Sequence, residues 1–268
     1  MVMTFMKHTV LITGSGSGLG KMAAISLARR GHKVYATTLY NSQADELNKI
    51  AKSEEINLIS FKLDIRNIDD RKKLYNIDFD TLINNAAIGD SGSLIEIKVS
   101  RIKNVFETNV FSNIEITQIA IEKFIKKGYG KVIFISSLAG RVAIGFLGPY
   151  CMSKFSIIAI AQCLRQELKK IEYANIKIKL IEPGAYDTSF NKLNYEKKYV
   201  WMQKKSYFRF RLSSLKLTEE KTWNFIQSKN FKSIISKYIK AVESENSRFR
   251  YSSPFIQDII TKIRMLFS

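Results

Sequence analysis

The sequence contains few of the residues that hold metal ions or form disulfides. Only two cysteines, Cys151 and Cys163, and two histidines, His8 and His32, occur among its 268 residues. If one helix carries both cysteines, they lie about 18 Å apart, which is too far for a disulfide. No cysteine and histidine cluster has the spacing of a metal site. We therefore predict two unpaired thiols and no bound metal.

Long apolar runs are also absent. No segment reaches the roughly 18 apolar residues that a membrane-spanning helix needs. The first ten residues, "MVMTFMKHTV", have no basic segment ahead of an apolar one, so we expect no secretory signal and a cytosolic protein. Hydrophobic residues make up 46% of the chain and charged residues 25%, which is an ordinary globular composition.

Acidic residues are scarce relative to basic ones. The formal net charge is +19, and residues 191–268 hold 17 lysines and arginines against 6 acidic residues, a net +11. Such a surface attracts an anionic cofactor, substrate or membrane, although lysines also serve solubility. Charge is the only feature that favours nucleic-acid binding, which we do not expect.

Short apolar runs rich in β-branched residues alternate with helix-like segments as far as Glu182. The predicted strands are His8–Thr13, Lys33–Thr38, Asn57–Leu63, Thr81–Asn84, Lys131–Ser136 and Ile176–Ile181. The predicted helices are Gly18–Arg30, Ser42–Lys52, Asp69–Tyr75, Ser100–Lys127 and Pro149–Glu172. Uniformly apolar strands separated by helices predict an α/β fold, a doubly wound parallel sheet covered on both faces.

We expect one domain, residues 1–268. Residues 186–230 are rich in lysine, arginine and aromatics, which indicates a helical insertion over the substrate side of the sheet. A helix near Lys232–Ser244 and a strand near Phe249–Tyr251 should follow, then a terminal amphipathic helix over 252–268. Its apolar stripe comprises Phe255, Ile256, Ile259, Ile260, Ile263 and Phe267. The stripe is expected to pack on the domain or on a second subunit; an anionic membrane is the alternative.

The segment "VLITGSGSGLGKM", residues 10–22, predicts a phosphate-binding turn. A triphosphate loop is excluded because Ser15 and Met22 occupy positions that require glycine and a hydroxyl. The spacing G-x-G-x-x-G from Gly14 fails at Leu19. The pattern that fits is T-G-x-x-x-G-x-G, formed by Thr13, Gly14, Gly18 and Gly20. Small residues let backbone amides and a helix N-terminus approach a pyrophosphate.

Other motifs occur in a fixed order along the chain. They are "NNAA" at 84–87, Asn109 in "FETNVF", "ISSLAG" at 135–140, "YCMSK" at 150–154 and "EPGAYDT" at 182–188. With the glycine turn, they make the sequence resemble the single-domain branch of the short-chain dehydrogenase/reductase superfamily. It is most similar to the 17β-hydroxysteroid and retinol dehydrogenase-like members. The resemblance covers roughly Thr9 to Phe190 and implies a Rossmann-type fold.

The resemblance implies hydride transfer between a nicotinamide and a carbon that bears a hydroxyl or carbonyl. It makes Tyr150 the general acid/base, Ser137 the residue that orients the substrate oxygen, and Asn109 the holder of a proton-relay water. Lys154 would bind the nicotinamide ribose. Because Lys154 follows Tyr150 by four residues, both share one helix face, and the ammonium is expected to lower the phenol pKa. A solvated surface pair is the alternative, which the position after Ser137 disfavours.

The cofactor contacts implied by the resemblance follow the strand ends. They are Thr13, Gly14, Ser15, Gly16, Ser17, Gly18, Leu19, Gly20, Thr38, Asp64, Ile65, Asn85, Ala86, Tyr150, Lys154, Pro183, Gly184 and Thr188. An N-cap of the next helix is the alternative for Asp64. Thr38 and Leu39 replace the acid or arginine that would select a coenzyme. NADP is favoured over NAD because no carboxylate repels a 2′-phosphate there and Lys21 or Lys33 is near in sequence.

Aromatic and aliphatic residues could line an apolar pocket over the nicotinamide. They are Phe146, Leu147, Tyr186, Phe190, Trp201, Tyr207 and Phe208. Packing of the insertion on the core is the alternative for each. We therefore predict a small, lipophilic alcohol or carbonyl substrate and a homodimer or homotetramer. A non-catalytic dinucleotide sensor on the same fold is the alternative function, which the presence of Ser137, Tyr150 and Lys154 disfavours.

Overall fold

The computed structural model describes residues 6–203, 206–245 and 248–267. Within them, seven parallel strands form one sheet in the order β3-β2-β1-β4-β5-β6-β7. The strands are β1 Thr9–Ile12, β2 Lys33–Thr38, β3 Leu58–Lys62, β4 Thr81–Asn84, β5 Tyr129–Ile135, β6 Asn175–Pro183 and β7 Arg250–Ser253. The predicted doubly wound parallel sheet is confirmed. The strand order reverses at β1, so a crevice opens between β1 and β4.

Ten α-helices occur in the described residues. They are α1 Gly18–Arg29, α2 Asn41–Ser53, α3 Ile68–Lys72, α4 Val99–Phe106, α5 Ser112–Lys127, α6 Gly148–Leu168, α7 Ser189–Trp201, α8 Leu212–Ile226, α9 Lys232–Glu243 and α10 Phe255–Met265. Successive residues of β1 point to opposite faces, so Val10 packs with α1, α2 and α9 while Leu11 packs with α5 and α6. Each face of the sheet therefore has its own core.

The predicted helix Ser100–Lys127 is interrupted. A π-helical turn, Glu107–Phe111, separates α4 from α5. The turn carries Asn109, whose side chain bonds the backbone of Ile88 through both its oxygen and its nitrogen, each at 2.8 Å. Single π-helical turns are frequent at functional sites. The interruption thus aims Asn109 at the loop after β4.

The insertion between β6 and α9 is helical, as expected. A 3₁₀ turn at Arg209–Arg211 precedes α8, and one isolated bridge joins Tyr186 to Ser228. Residues 1–5, 204–205, 246–247 and 268, which belong to the predicted domain, insertion and terminal helix, lie outside the described residues. No helix of the described part has the length and apolarity needed to cross a membrane.

The stripe of α10 was expected to pack on the domain or on a second subunit. Packing on the domain is wrong, and packing on a second subunit stays a prediction. Phe255 and Ile256 are 74% and 71% exposed, whereas the buried residues of this helix are Asp258 and Thr261. The reason is a buried ion pair, because the Asp258 carboxylate accepts a hydrogen bond from Arg141 at 2.8 Å. The polar side of α10 therefore faces the protein and the apolar side faces outward.

Candidate active site

A cavity of about 830 Å³ lies at the carboxyl ends of the strands. Its wall includes residues from the segment after each of the first six strands. They are, for β1 to β6 in turn, Gly14, Leu39, Asp64, Asn85, Ser137 and Gly184. Ligands of open parallel sheets bind at this edge. The volume falls within the roughly 300–1,000 Å³ typical of ligand pockets.

Three of the predicted catalytic residues meet on the cavity wall. Tyr150 and Lys154 come from α6, and Ser137 follows β5. The Ser137 hydroxyl acts on Tyr150 as a hydrogen-bond partner. It also donates to the Pro183 carbonyl at 3.3 Å and accepts the Ala139 amide at 3.1 Å. The Lys154 ammonium lies 5.6 Å from the centroid of the Tyr150 ring and donates to the Ile135 carbonyl at 2.9 Å. The arrangement presents a phenol, a hydroxyl and a buried amine to one ligand.

The pKa of Tyr150 shifts opposite to the expectation from the sequence. Burial raises it to about 12, although the hydrogen bond with Ser137 acts in the other direction. Burial lowers the pKa of Lys154 to about 8. The phenol is therefore protonated at neutral pH. In this state it can donate a proton to an oxygen that gains negative charge, which is what a general acid does.

The loop after β5 is locked against α6. Ser136 donates its hydroxyl to the Lys154 carbonyl at 2.8 Å, which fits a structural role. A Cβ on Gly140 would lie 2.8 Å from the same carbonyl oxygen, so no larger residue fits there. This close approach explains the small residues of the "SSLAG" segment and fixes Ser137 beside Tyr150.

Asn109 is tied to the catalytic helix. Its amide nitrogen donates to Ile88 at 2.8 Å and to the Ser153 hydroxyl at 3.0 Å. Ser153 in turn donates to the Tyr150 carbonyl at 2.8 Å. Both amide hydrogens are thus used within the protein, and a relay water could bond this side chain only at its oxygen. The relay role of Asn109 stays a prediction. Nothing in the sequence indicated that Ser153 would connect Asn109 to Tyr150.

The glycine turn and the loop after β4 are bonded together. The Thr13 hydroxyl accepts hydrogen bonds from the amides of Asn85 at 3.1 Å and Ala86 at 3.0 Å. The Asn85 side chain donates to the Gly14 carbonyl at 3.0 Å. Gly14 has a φ of +68°, and a Cβ there would lie 2.6 Å from the Ala86 Cα. A side chain at this position would therefore push the two loops apart.

The N-terminus of α1 can hold an anion. Its N-cap residue, Ser17, makes no side-chain capping bond, and no acidic residue occupies the first turn. Gly16, Ser17, Gly18, Leu19 and Gly20 all line the cavity. Uncapped amides at a helix start bind phosphate groups. The loop therefore fits the pyrophosphate of a dinucleotide.

The cavity is also positive. Among the described residues that line it, the cationic ones are Arg66, Lys154, Lys197 and Arg264, and the acidic one is Asp64. An anionic ligand is attracted to such a wall.

Asp64 is not an N-cap. The N-cap of α3 is Asn67, whose side chain accepts the amides of Asp69 and Asp70, so that alternative is wrong. Asp64 and Ile65 both line the cavity. Burial acts to raise the pKa of Asp64, but hydrogen bonds from the backbone and side chain of Arg66 hold this pKa below its usual value. The carboxylate is therefore charged at neutral pH.

Several predicted contacts lie away from the cavity surface. Thr38 is buried and donates to the Tyr40 carbonyl at 2.9 Å, so Leu39 and Tyr40 line the cavity in its place. The side chains of Thr13 and Ser15 are likewise fully buried. The remaining predicted cofactor residues that line the cavity are Asn85, Ala86, Pro183, Gly184 and Thr188.

The two lysines expected near a 2′-phosphate are directed elsewhere. Lys21 pairs with Glu46 at 2.6 Å, and Lys33 lies 5.0 Å from the centroid of the Tyr35 ring. Neither lines the cavity. The structure therefore gives no support to a role of either lysine at a 2′-phosphate, and the coenzyme preference stays a prediction.

The predicted apolar pocket is partly correct. Leu147, Tyr186 and Phe190 line the cavity. Phe146 and Phe208 line a second cavity of about 650 Å³ instead. Trp201 donates to the Ser91 carbonyl at 3.1 Å, and Tyr207 is 78% exposed. Further apolar residues line the cavity that the sequence did not point to, among them Val142, Ile144, Trp223, Ile226 and Ile260.

Three features together define a dinucleotide-dependent oxidoreductase. They are the reversed strand order, the glycine turn at a helix N-terminus, and the tyrosine and lysine on the cavity wall. The family model described as short chain dehydrogenase matches residues 8–198. The chain belongs to the short-chain dehydrogenase/reductase family and is an oxidoreductase.

Proteins similar in sequence are also named as dehydrogenases or reductases. The chain is 33% identical over 192 residues to "Probable short-chain type dehydrogenase/reductase VdlC" of Helicobacter pylori, covering 69% of this chain and 68% of that protein. Retinol dehydrogenase 7 of Mus musculus is 30% identical over 246 residues, covering 88% and 70%. The 3-ketodihydrosphingosine reductase of Bacteroides thetaiotaomicron is 29% identical over 254 residues, covering 94% and 90%.

The fold is also that of solved family structures. A short-chain dehydrogenase/reductase from Burkholderia phymatum, solved in complex with NAD, is similar with a TM-score of 0.81 at 18% identity. The similarity covers 97% of this chain and 93% of that one, so it includes the helices after β6.

Proposed function

We propose that the protein interconverts a carbonyl and an alcohol on a lipophilic substrate, with NADP(H) as coenzyme. The observation that carries the proposal is the meeting of Tyr150, Ser137 and Lys154 on one wall of a cavity that also receives the free N-terminus of α1. The nicotinamide supplies or accepts the hydride when bound. The protein supplies the proton and holds the reacting groups in place.

In the reducing direction the Tyr150 phenol donates its proton to the substrate oxygen. Ser137, which shares a hydrogen bond with Tyr150, holds the same oxygen. Lys154 stabilises the phenolate that remains and binds the ribose hydroxyls. Asn109, through Ser153, keeps the first turn of α6 in register with the cavity. Proton transfer by a positioned side chain contributes about 100- to 10,000-fold to a rate.

A lipophilic substrate is supported by the wall of the cavity. Val142, Leu147, Phe190, Trp223 and Ile260 are apolar and line it. The named relatives point the same way, since retinol and 3-ketodihydrosphingosine are the compounds in their names. We therefore propose a long-chain or cyclic lipid alcohol or ketone.

NADP(H) is supported by the residues around the end of β2. No acidic residue there lines the cavity, where Leu39, Tyr40 and Gln43 form the wall. Arg66 lines the same region, and its guanidinium lies 3.3 Å from Asp64. A 2′-phosphate near Arg66 would meet a cation that also pairs with Asp64, and no carboxylate from β2. A cytosolic homodimer or homotetramer remains the accompanying prediction.

The test is a panel of lipid and water-soluble ketones, aldehydes and alcohols, assayed by nicotinamide absorbance with each coenzyme in turn. The Tyr150→Phe variant should bind coenzyme as the wild type does and lose at least about 100-fold in rate. The matched control is Tyr173→Phe, because Tyr173 is 74% exposed and does not line the cavity. Full activity of Tyr150→Phe would refute the catalytic role. Coenzyme binding by the wild type without turnover of any compound would favour the sensor.

A further inference from the structure

The outward side of α10 is an unusual surface. We define the α10 apolar face as Phe255, Ile256, Ile259, Ile260, Ile263, Leu266 and Phe267. Phe255, Leu266 and Phe267 are 74%, 81% and 86% exposed. Contiguous exposed apolar patches of this kind mark interaction sites.

Polar contacts hold the helix in this orientation. Asp258 is buried against Arg141, and Gln257 accepts the Ala185 amide at 2.7 Å while donating to the Ile226 carbonyl at 2.7 Å. The orientation therefore follows from specific buried partners.

The α10 apolar face continues onto α8 and into the cavity. Ile226 of α8 and Ile260 of α10 both line the cavity, yet they are 39% and 51% exposed. They therefore form its rim. Next to this rim, Phe225 is 91% exposed. The mouth of the active site opens through an apolar surface.

Exposed cations occur along both helices. Arg211 precedes α8, Lys221 lies one helical turn before Phe225, and Lys262 and Arg264 belong to α10. Lys262 also pairs with Asp258 at 2.9 Å. The acidic Glu219 of α8 is engaged by Lys198 at 2.5 Å. Residues 191–268 as a whole carry a net +11. An occupant of the face is therefore apolar at its centre and anionic around it.

We propose that the α10 apolar face docks on an anionic lipid bilayer, with α10 in the plane of the interface. Apolar side chains on one side of a helix and lysine or arginine beside them are the features of interfacial helices. Anionic headgroups attract the flanking cations, and the effect of each cation falls off within a Debye length.

A second copy of the chain fits the face less well. In a two-fold dimer the same patch meets itself, so both copies would bring Lys262 and Arg264 to one interface. The excess of positive charge at that interface disfavours the contact. A bilayer supplies the complementary charge instead.

Docking in this way places the cavity mouth at the membrane. A lipophilic substrate would then pass between α8 and α10 without crossing water, a consequence that rests on the proposed function. The docking itself does not, and its test uses no substrate or coenzyme.

The test is flotation of the full chain with vesicles of phosphatidylcholine alone or with phosphatidylserine added. The wild type should float with the mixed vesicles and not with phosphatidylcholine alone, and salt should release it. Phe255→Ser/Phe267→Ser should weaken binding at least about tenfold, since two large side chains lose their burial in lipid. Arg211→Gln/Lys221→Gln should weaken it about fivefold for each charge removed.

Tyr173→Ser is the matched control, because it removes an aromatic residue of equal exposure, 74%, that precedes β6 at the opposite end of the sheet. It should leave vesicle binding unchanged. Circular dichroism checks that every variant folds. Absence of wild-type binding, or equal binding by the two-phenylalanine variant, would overturn the proposal. A shift of that variant from dimer to monomer in sedimentation, with no vesicle binding by the wild type, would show an interface between copies instead.

Discussion

Arg141 lies at the centre of a buried ion-pair network that joins the catalytic loop to the last helix. Its Nε donates to one carboxylate oxygen of Glu182 at 2.8 Å, and its Nη2 donates to the other. Its Nη1 donates to Asp258 at 2.8 Å. Arg250 donates to Glu182 at 2.7 Å. The side chains of Arg141 and Glu182 are 4% and 0% exposed. We choose Arg141→Met as the perturbation because methionine keeps the apolar stem and removes the charge.

The expected loss follows from what remains after the change. Breaking a buried ion pair by removing one partner costs about 3–5 kcal/mol, because it leaves an uncompensated charge in the interior. Here Glu182 keeps Arg250 at 2.7 Å, and Asp258 keeps Lys262 at 2.9 Å. The partial compensation favours the lower end, so we expect a loss of about 3 kcal/mol in the free energy of unfolding.

Urea unfolding followed by far-UV circular dichroism measures this loss. The matched control is Lys126→Met, which breaks the surface pair with Glu122 and should cost no more than about 0.5 kcal/mol. Asp258→Asn, which leaves the bond between Arg141 and Glu182 intact, should cost an intermediate amount. If Arg141→Met costs no more than Lys126→Met, water reaches the network and the reasoning fails.

Two further predictions concern the glycine turn and a buried lysine. Gly14→Ala should abolish coenzyme binding in a fluorescence titration, because its φ is +68° and its Cβ would lie 2.6 Å from Ala86; Gly145→Ala, with nothing within 4 Å, should bind normally. Burial lowers the pKa of Lys179 to about 7. The unfolded chain keeps that proton to a higher pH, so stability should rise as the pH increases from about 7 to 10. Lys179→Met should reduce that slope in urea unfolding at several pH values; an unchanged slope would contradict the assignment.

The sheet was predictable from the sequence because each central strand is apolar on both faces. Helix ends were less so. The prediction extended α6 to Glu172, whereas it ends at Leu168. Neither glycine nor proline occurs between Leu168 and Asn175, so the sequence carries no stop signal at the end of the helix.

The meeting of Ser137, Tyr150 and Lys154 on one cavity wall was predictable because the spacing of these residues is local. Tyr150 and Lys154 share a helix, and Ser137 follows the preceding strand, β5, by two residues. The ion-pair network that supports them was not predictable, because Arg141 bonds Glu182 and Asp258, which lie 41 and 117 residues further along the chain. A single sequence gives no signal for such pairs. The direction of the Tyr150 pKa shift was missed for a related reason, since burial depends on tertiary packing.

The orientation of α10 shows what periodicity leaves open. An apolar stripe has the same period whether it faces the core or the solvent, so the sequence predicts the helix and not its rotation. Turning the stripe inward would take Asp258 away from Arg141 and leave the buried guanidinium with fewer acceptors. That loss of a charged hydrogen bond in the interior costs about 1.5–3 kcal/mol. For the helix to rotate and face its stripe inward, the free energy gained by burying the stripe in the domain must exceed this cost. A bilayer on the outer side would bury the stripe without that rotation.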